Sequence, residues 1–300
     1  MKLFTPVTID KLSVTVGLED KIMVLGSCFA DNVGERMAAA GFNVCVNPFG
    51  TLYNPASIFN AVARLESGKP FEEAECVEMG AGAGLVCSYS HHTSFARPTK
   101  AEFLENANEK MAFASGFWHS CNKVIITYGT SFVWKANCLL SKNETKEYNC
   151  LTNLLTLQKC SFGVVSNCLK RPAAEFTREM LGIDEVKALT EAISGSFPGK
   201  EFIFTVSPIR HLSDGAHANT ISKATLHLAT AGQCYFPAFE LLNDELRDYR
   251  FYAEDLVHPS PAAVGYVWEK FLEAAVPEKY WPQIRENEKA ARYAAHRQFR

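Results

Sequence analysis

Short apolar runs alternate along the chain with stretches whose apolar residues recur every three or four positions. Ile22-Met23-Val24-Leu25 is an uninterrupted apolar run and predicts a buried strand. It breaks at Gly26, and Phe29, Val33 and Met37 then follow at the four-residue steps of a helix. Gly41 stops that helix, residues 42–46 predict a second strand, and Asn54-Pro55 caps a helix over 56–65. Residues 123–128 and 201–206 are two more buried strands, with a short one at 234–236. Further helices are predicted over 100–116, after Arg171-Pro172, over 222–231, over 261–275 and in the charged tail from Trp281. Strands alternating with helices predict an α/β fold whose mainly parallel sheet is wrapped on both faces.

This pattern reads as one domain over residues 1–300, with an insertion at 67–118, a long loop at 135–160 and a charged tail at 276–300. Gly80-Ala81-Gly82-Ala83-Gly84 lacks the spacing of a dinucleotide loop and reads as a turn. A net charge of −3 with 21% charged residues argues against nucleic acid as a partner and against an anionic membrane surface. The ten cysteines contain no C-x-x-C pair and several sit in apolar runs, so they read as free thiols in a reducing compartment. The first twelve residues carry Asp10 where a signal peptide is apolar, and no run reaches membrane-spanning length. A cytoplasmic location without membrane insertion is therefore expected, and the sequon Asn143-Glu144-Thr145 carries no weight. His91-His92, His217 and His227 do not combine with any cysteine or carboxylate pair at metal-ligand spacing, so neither metal nor cofactor is expected. The oligomeric state is not legible.

Three candidate loops fall at the carboxyl ends of predicted strands: Gly26-Ser27, Gly129-Thr130-Ser131 and the stretch from Asp255 to His258. A serine between a strand and a helix meets free N–H groups at the positive helix end, where an alkoxide and a developing oxyanion are both stabilised. Asp255 and His258, three residues apart, suit a carboxylate that holds Nδ1–H and leaves Nε2 free to take a proton. Ser27, Asp255 and His258 are thus the expected catalytic triad. Two competing readings make Ser27 a plain helix cap or put the nucleophile at Cys28, activated by the same helix end. His211 either lines the site or bonds Asp214, and Arg210 is a candidate anion contact. No G-x-S-x-G is present, which counts against an α/β-hydrolase.

Gly26-Ser27-Cys28-Phe29-Ala30 resembles the defining motif of the GSCFA family, a bacterial branch similar to the SGNH (GDSL-like) esterases. Asn47-Pro48-Phe49-Gly50, the run from Ile125 to Thr130, Asn167-Cys168, the run from Phe204 to His211, the run from Asp244 to Tyr252 and Asp255 to Ser260 resemble the same family. The resemblance implies a three-layer, flavodoxin-like α/β/α sandwich and a serine esterase acting on an O-acyl ester, with a carbohydrate or other small ester as substrate. Acyl transfer by the same triad and a non-catalytic binding protein are the alternatives. By the same resemblance Gly50 and the Gly129 loop line the oxyanion hole beside the Ser27 N–H. Two departures stand out. Cys28-Phe29 follows the serine where the esterases carry Gly-Asp-Ser and a polar continuation. Gly129-Thr130-Ser131 stands where an Asn donates to the oxyanion, a donor worth ~3 kcal/mol, for which Asn167, Thr130 or Ser131 is the substitute. Leu169 stands where the family has a histidine.

Overall fold

The computed structural model describes residues 5–140 and 161–298. In chain order its principal elements are β1 (Lys21–Gly26), α1 (Cys28–Ala39), β2 (Asn43–Val46), α2 (Pro55–Ser67), β3 (Val77–Glu78), β4 (Val86–Cys87), α3 (Lys100–Ser120), β5 (Lys123–Tyr128), β6 (Phe132–Ala136), β7 (Val164–Val165), β8 (Phe176–Met180), α4 (Ile183–Gly195), β9 (Glu201–Val206), α5 (Ala216–Thr230), α6 (Pro261–Ala275) and α7 (Trp281–Gln298). The central sheet is parallel throughout, in the order β2-β1-β5-β9. The strand predicted at 234–236 is reduced to one parallel bridge between Tyr235 and Phe204, which extends the sheet beyond β9.

The apolar runs are continuous because the sheet is buried on both faces. Met23, Leu25, Val124, Ile126, Phe202 and Phe204 pack with α2, α3, α4 and α5. Ile22, Val24, Ile125 and Ile203, their neighbours along the strands, point the other way and pack with Phe29 and Met37 of α1 and Val267, Trp268 and Phe271 of α6. Each residue step therefore serves a different helical layer, and the α/β/α sandwich follows. Within the stretch read as an insertion, α3 buries Phe103, Met111 and Trp118 in the same core as β1 and β5, while β3 and β4 form a hairpin closed by the glycine-rich turn.

A second, antiparallel sheet, β7-β6-β8, leaves the carboxyl end of β5. It corrects two sequence expectations. Part of the loop placed at 135–160 is strand β6; residues 141–160 of that loop, with the sequon, lie outside the described residues. The helix placed after Arg171-Pro172 is a single 3-10 turn followed by β8, and helix begins only at Ile183. Among the described residues no helix is long and apolar enough to cross a membrane.

The strand order makes the carboxyl ends of β1 and β5 the place of interest. β2 lies on one side of β1 and the later strands on the other, so the chain turns away in opposite directions there, the switch point at which open α/β sheets place a ligand crevice.

Candidate active site at the Gly-Ser-Cys turn

Gly26 ends β1 with φ +146, and a Cβ there would stand 2.2 Å from the Thr127 carbonyl oxygen of β5. Only glycine permits this approach of the two strands. Its N–H donates to Asn47 Oδ1 (2.8 Å), and the Asn47 amide donates in turn to Asp31 Oδ1 (2.6 Å), which ties the loop after β2 to the first turn of α1. Gly129 closes the other side: a Cβ there would meet Ser27 Cβ at 3.4 Å.

Ser27 is the N-cap of α1. Its backbone is extended, and its Oγ accepts from Phe29 N–H at 3.3 Å, the one hydrogen bond of this hydroxyl among the described residues. The side chain is turned inward and is 2% exposed. Ser27→Ala is expected to cost about 1 kcal/mol of stability, the usual value of a lost cap, read as a lower denaturation midpoint at unchanged slope. Cys28, the first helical residue, is only half-buried.

The Asp255–His258 loop folds back on itself. Asp255 Oδ1 accepts from the N–H groups of Val257 and His258 (both 2.9 Å), and Ala253 N–H donates to the His258 carbonyl (2.7 Å). This leaves Asp255 Oδ2 to hold His258 Nδ1 at 2.6 Å. Nε2 then faces α1 and lies 3.7 Å from Cys28 Sγ. The imidazole predicted to serve position 27 thus meets the side chain of position 28, and no hydrogen bond joins Ser27 to His258 among the described residues. The physical reason is local: a cap side chain must turn back to the helix N–H groups, whereas the first helical side chain points outward.

The charges are arranged for a proton to move. The two backbone N–H bonds and the imidazole pull the Asp255 carboxyl down to about 2, so it is anionic in any working range. Burial pushes the Cys28 thiol up, and Asp31, one turn along α1, adds to that. The N–H groups of Cys28 and Phe29 and the ammonium of Lys223 oppose the rise. Burial also raises Asp31, against the pull of the Asn47 amide, and Tyr53, whose hydroxyl accepts from Thr51 Oγ1 at 3.2 Å. The thiol is therefore protonated at rest, with the His258 imidazole beside it.

The remaining sequence candidates are placed as follows. Gly50 N–H donates to Asn47 O (2.7 Å), Gly129 and Thr130 N–H both donate to Tyr53 O (2.8 and 2.9 Å), and Ser27 N–H donates to Thr127 O (3.3 Å). The N–H groups assigned to an oxyanion hole are thus already spent on holding the three loops together. The Cys28 N–H has no such acceptor among the described residues and lies at the helix end instead. Thr130 Oγ1 and Ser131 N–H bind Ser222 Oγ of α5 (3.0 and 2.8 Å). Asn167 is bound through its amide to the His91 carbonyl and the Leu169 N–H. His211 bonds Asp214 (2.8 Å), which Arg178 clasps through two nitrogens, and makes no hydrogen bond to Cys28 or His258 among the described residues. Among the described residues no cluster of three or more His, Cys, Asp or Glu could hold a metal ion.

Sequence reasoning gives Asp31, Asn47, Tyr53 and Lys223 no role at the site, although Asn47 falls within a stretch that resembles the family. Asp31 was findable, since a carboxylate three positions beyond Cys28 lies over the same helical turn. Lys223 shares the inward face of α5 with Leu226 and Thr230, at helical spacing, which is an anomalous place for an ammonium. No curated protein and no solved structure was found to match this chain. A family model described as the GSCFA family matches residues 21–271. That span runs from the first residue of β1 to α6 and takes in the Gly-Ser-Cys turn, Asn47, Gly129 and the Asp255–His258 loop. Since the match covers most of the chain and every residue that builds the crevice, the chain belongs to the GSCFA family.

Proposed function

We propose that this protein is an acyl-transfer enzyme, an ester hydrolase whose nucleophile is the Cys28 thiol and whose base is the Asp255–His258 pair. The observation that carries the reading is the 3.7 Å approach of His258 Nε2 to Cys28 Sγ with Nδ1 locked to Asp255. Asp255 fixes the tautomer that leaves Nε2 able to accept. His258 takes the thiol proton as sulfur attacks the acyl carbonyl, then gives that proton to the departing alcohol, leaving a thioester on Cys28. Water enters, His258 takes its proton, and the thiolate leaves and is reprotonated. The Cys28 N–H and the positive end of α1 face the carbonyl oxygen as it gains charge. The resemblance to SGNH esterases suggests an O-acyl ester on a carbohydrate or other small alcohol as the substrate class. Acyl transfer to a hydroxyl acceptor uses the same groups, with the acceptor in place of water.

The test is a p-nitrophenyl acetate burst followed by peptide mass mapping. Wild type should release one equivalent of p-nitrophenolate rapidly and carry an acetyl group on Cys28 that neutral hydroxylamine removes, as it does thioesters. Cys28→Ala should lose both burst and adduct, while Ser27→Ala keeps them. An adduct that survives Cys28→Ala and disappears in Ser27→Ala moves the nucleophile to the serine favoured by the motif. A folded wild type that acquires no acetyl group refutes an acyl-enzyme. Faster loss of the acetyl group when a sugar is added points to transfer.

A further inference from the structure

The face of the sheet that packs against α1 and α6 encloses an interior cavity of about 20 Å³. Its floor is hydrocarbon from Ile125 of β5 and Ile203 of β9, and its walls are Phe29 and Val33 of α1 and Val267 and Phe271 of α6. Two residues further along the same strands, about 7 Å nearer their carboxyl ends, it is lined by Thr127 and Thr205, which pair across β5 and β9. Thr127 is in register with Gly26, and its carbonyl accepts from the Ser27 N–H. The threonine end of the cavity therefore adjoins the Gly-Ser-Cys turn. Thr205 is 3% exposed, and its Oγ1 has no hydrogen-bond partner among the described residues. Cys28 opens α1, and His258 stands just ahead of α6. The two helices that wall the cavity are thus the two that bring thiol and imidazole to 3.7 Å.

Interiors are packed closely, and a buried hydroxyl left without a partner is costly. Both features coincide here, at the sheet edge that carries the candidate site. The cavity also has the polarity profile of an acyl ester: hydroxyls at the end beside the turn, and only hydrocarbon and aromatic groups below them. We propose that it receives the acyl chain, and that the substrates are esters of short acyl groups, of about two to four carbons. This rests on the reading of Cys28 and His258 as an acyl-transfer pair. The Thr205 hydroxyl is free to donate to an ester oxygen at the cavity's polar end, while the tail packs on Ile125, Ile203 and Val33. The volume sets the chain length. About 20 Å³ takes one or two methyl-sized groups, so an acetyl or butyryl tail fits and a longer chain runs into Phe271, which lies farther along α6.

The test compares p-nitrophenyl acetate, butyrate and octanoate in wild type, Val33→Phe and Val33→Ala. Val33 is only half-buried, so α1 should tolerate both changes. Wild type should turn over the two short esters with kcat/KM about tenfold or more above the octanoate. Val33→Phe fills the cavity and should lower kcat/KM for butyrate by about thirtyfold but for acetate by only about threefold. Val33→Ala enlarges it and should raise octanoate about tenfold relative to acetate. A mere packing void would shift the melting temperatures of the two variants and leave the ratios between chain lengths unchanged, and that result overturns the proposal. Should the variants fail to fold, 13C-methyl NMR of wild type titrated with butyramide decides the matter. Shifts at the methyls of Val33, Ile203 and Val267 are expected, and their absence overturns the proposal. Butyramide binding needs no nucleophile. A folded wild type that acquires no acetyl group but shows these shifts refutes the acyl-enzyme and keeps the pocket, so the two readings fail separately.

Discussion

Replacing His258 by glutamine is expected to lower kcat/KM for p-nitrophenyl acetate at pH 7 by about a thousandfold, the usual scale for loss of a positioned base. The fold should survive, since the ring is 47% exposed and the backbone bonds of its loop go to Asp255 rather than to the imidazole. The size of the loss follows from the state of the thiol. Cys28 is held above the ordinary thiol range by burial and Asp31, so little thiolate exists without a base. At high pH the thiol ionises unaided and the defect of His258→Gln should shrink. A defect of constant size across pH would mean that the imidazole does something other than take this proton. Asp255→Asn should come close to the same loss by another route. Its Oδ1 can still accept from Val257 and His258, so the loop keeps its shape, but an amide NH2 facing Nδ1 forces the proton onto Nε2. The imidazole then presents a donor to Cys28 where an acceptor is needed. Because Asp255 is ionised down to about pH 2, the acid limb of the activity profile does not belong to it.

The contrast between Ser27 and Cys28 shows what a sequence discloses and what it withholds. The strands around the site were legible because burial on both faces leaves an unbroken apolar run, as in β1 and β5. The Asp255–His258 pair was legible because its chemistry is local to three residues. Which of two neighbouring side chains meets the imidazole was not, since that depends on where α1 starts to turn, and one residue reverses the side chain's direction. β6 and β8 escaped for a different reason. Phe132-Val133-Trp134-Lys135-Ala136 and Phe176-Thr177-Arg178-Glu179-Met180 are half-exposed strands whose polar residues imitate loop or helix, and the rings of Phe132 and Trp134 are covered by the Arg178 guanidinium. Lys223 was out of reach because its two carbonyl partners lie 94 and 16 residues away in the chain. The oxyanion expectation at Gly50 and Gly129 could not take account of their N–H groups, which the fold uses to bond Asn47 and Tyr53 carbonyls.

Acidification should unfold this protein through His91, and His91→Phe should remove most of that sensitivity. His91 is 1% exposed and sits among the rings of Phe49, Phe71, Phe95 and Phe103, with centroids 4.5–5.6 Å away. Its Nδ1 has one partner, the Ser88 hydroxyl at 2.7 Å. Burial, with smaller contributions from Arg64 and Lys110, drives its pKa down from 6.5 to about 3. The sign follows from proton counting: between pH 6.5 and 3 the unfolded chain holds a proton that the folded one refuses. The stability this neutral histidine contributes is therefore complete above pH 6.5 and declines as the pH falls towards 3, by several kcal/mol in all. His227, also lowered by burial, adds to the same slope, whereas Asp214 acts only below 3.8. Urea unfolding at pH 7.0, 5.5 and 4.5 is the measurement. Wild type should lose stability steeply across that range, and His91→Phe, of similar volume and without a proton to bind, should lose much less. Equal slopes would mean that His91 titrates as freely in the folded chain as in the unfolded one. The consequence extends to the loop after β2, which Leu52 N–H ties to the Gly26 carbonyl at 2.8 Å: the His91 carbonyl holds Asn167, while His92 N–H donates to Phe49 O at 2.9 Å, beside Gly50. Protonation at 91 would disturb this loop, so on the proposed function activity in acid should fall together with the urea midpoint, and His91→Phe should lessen both losses.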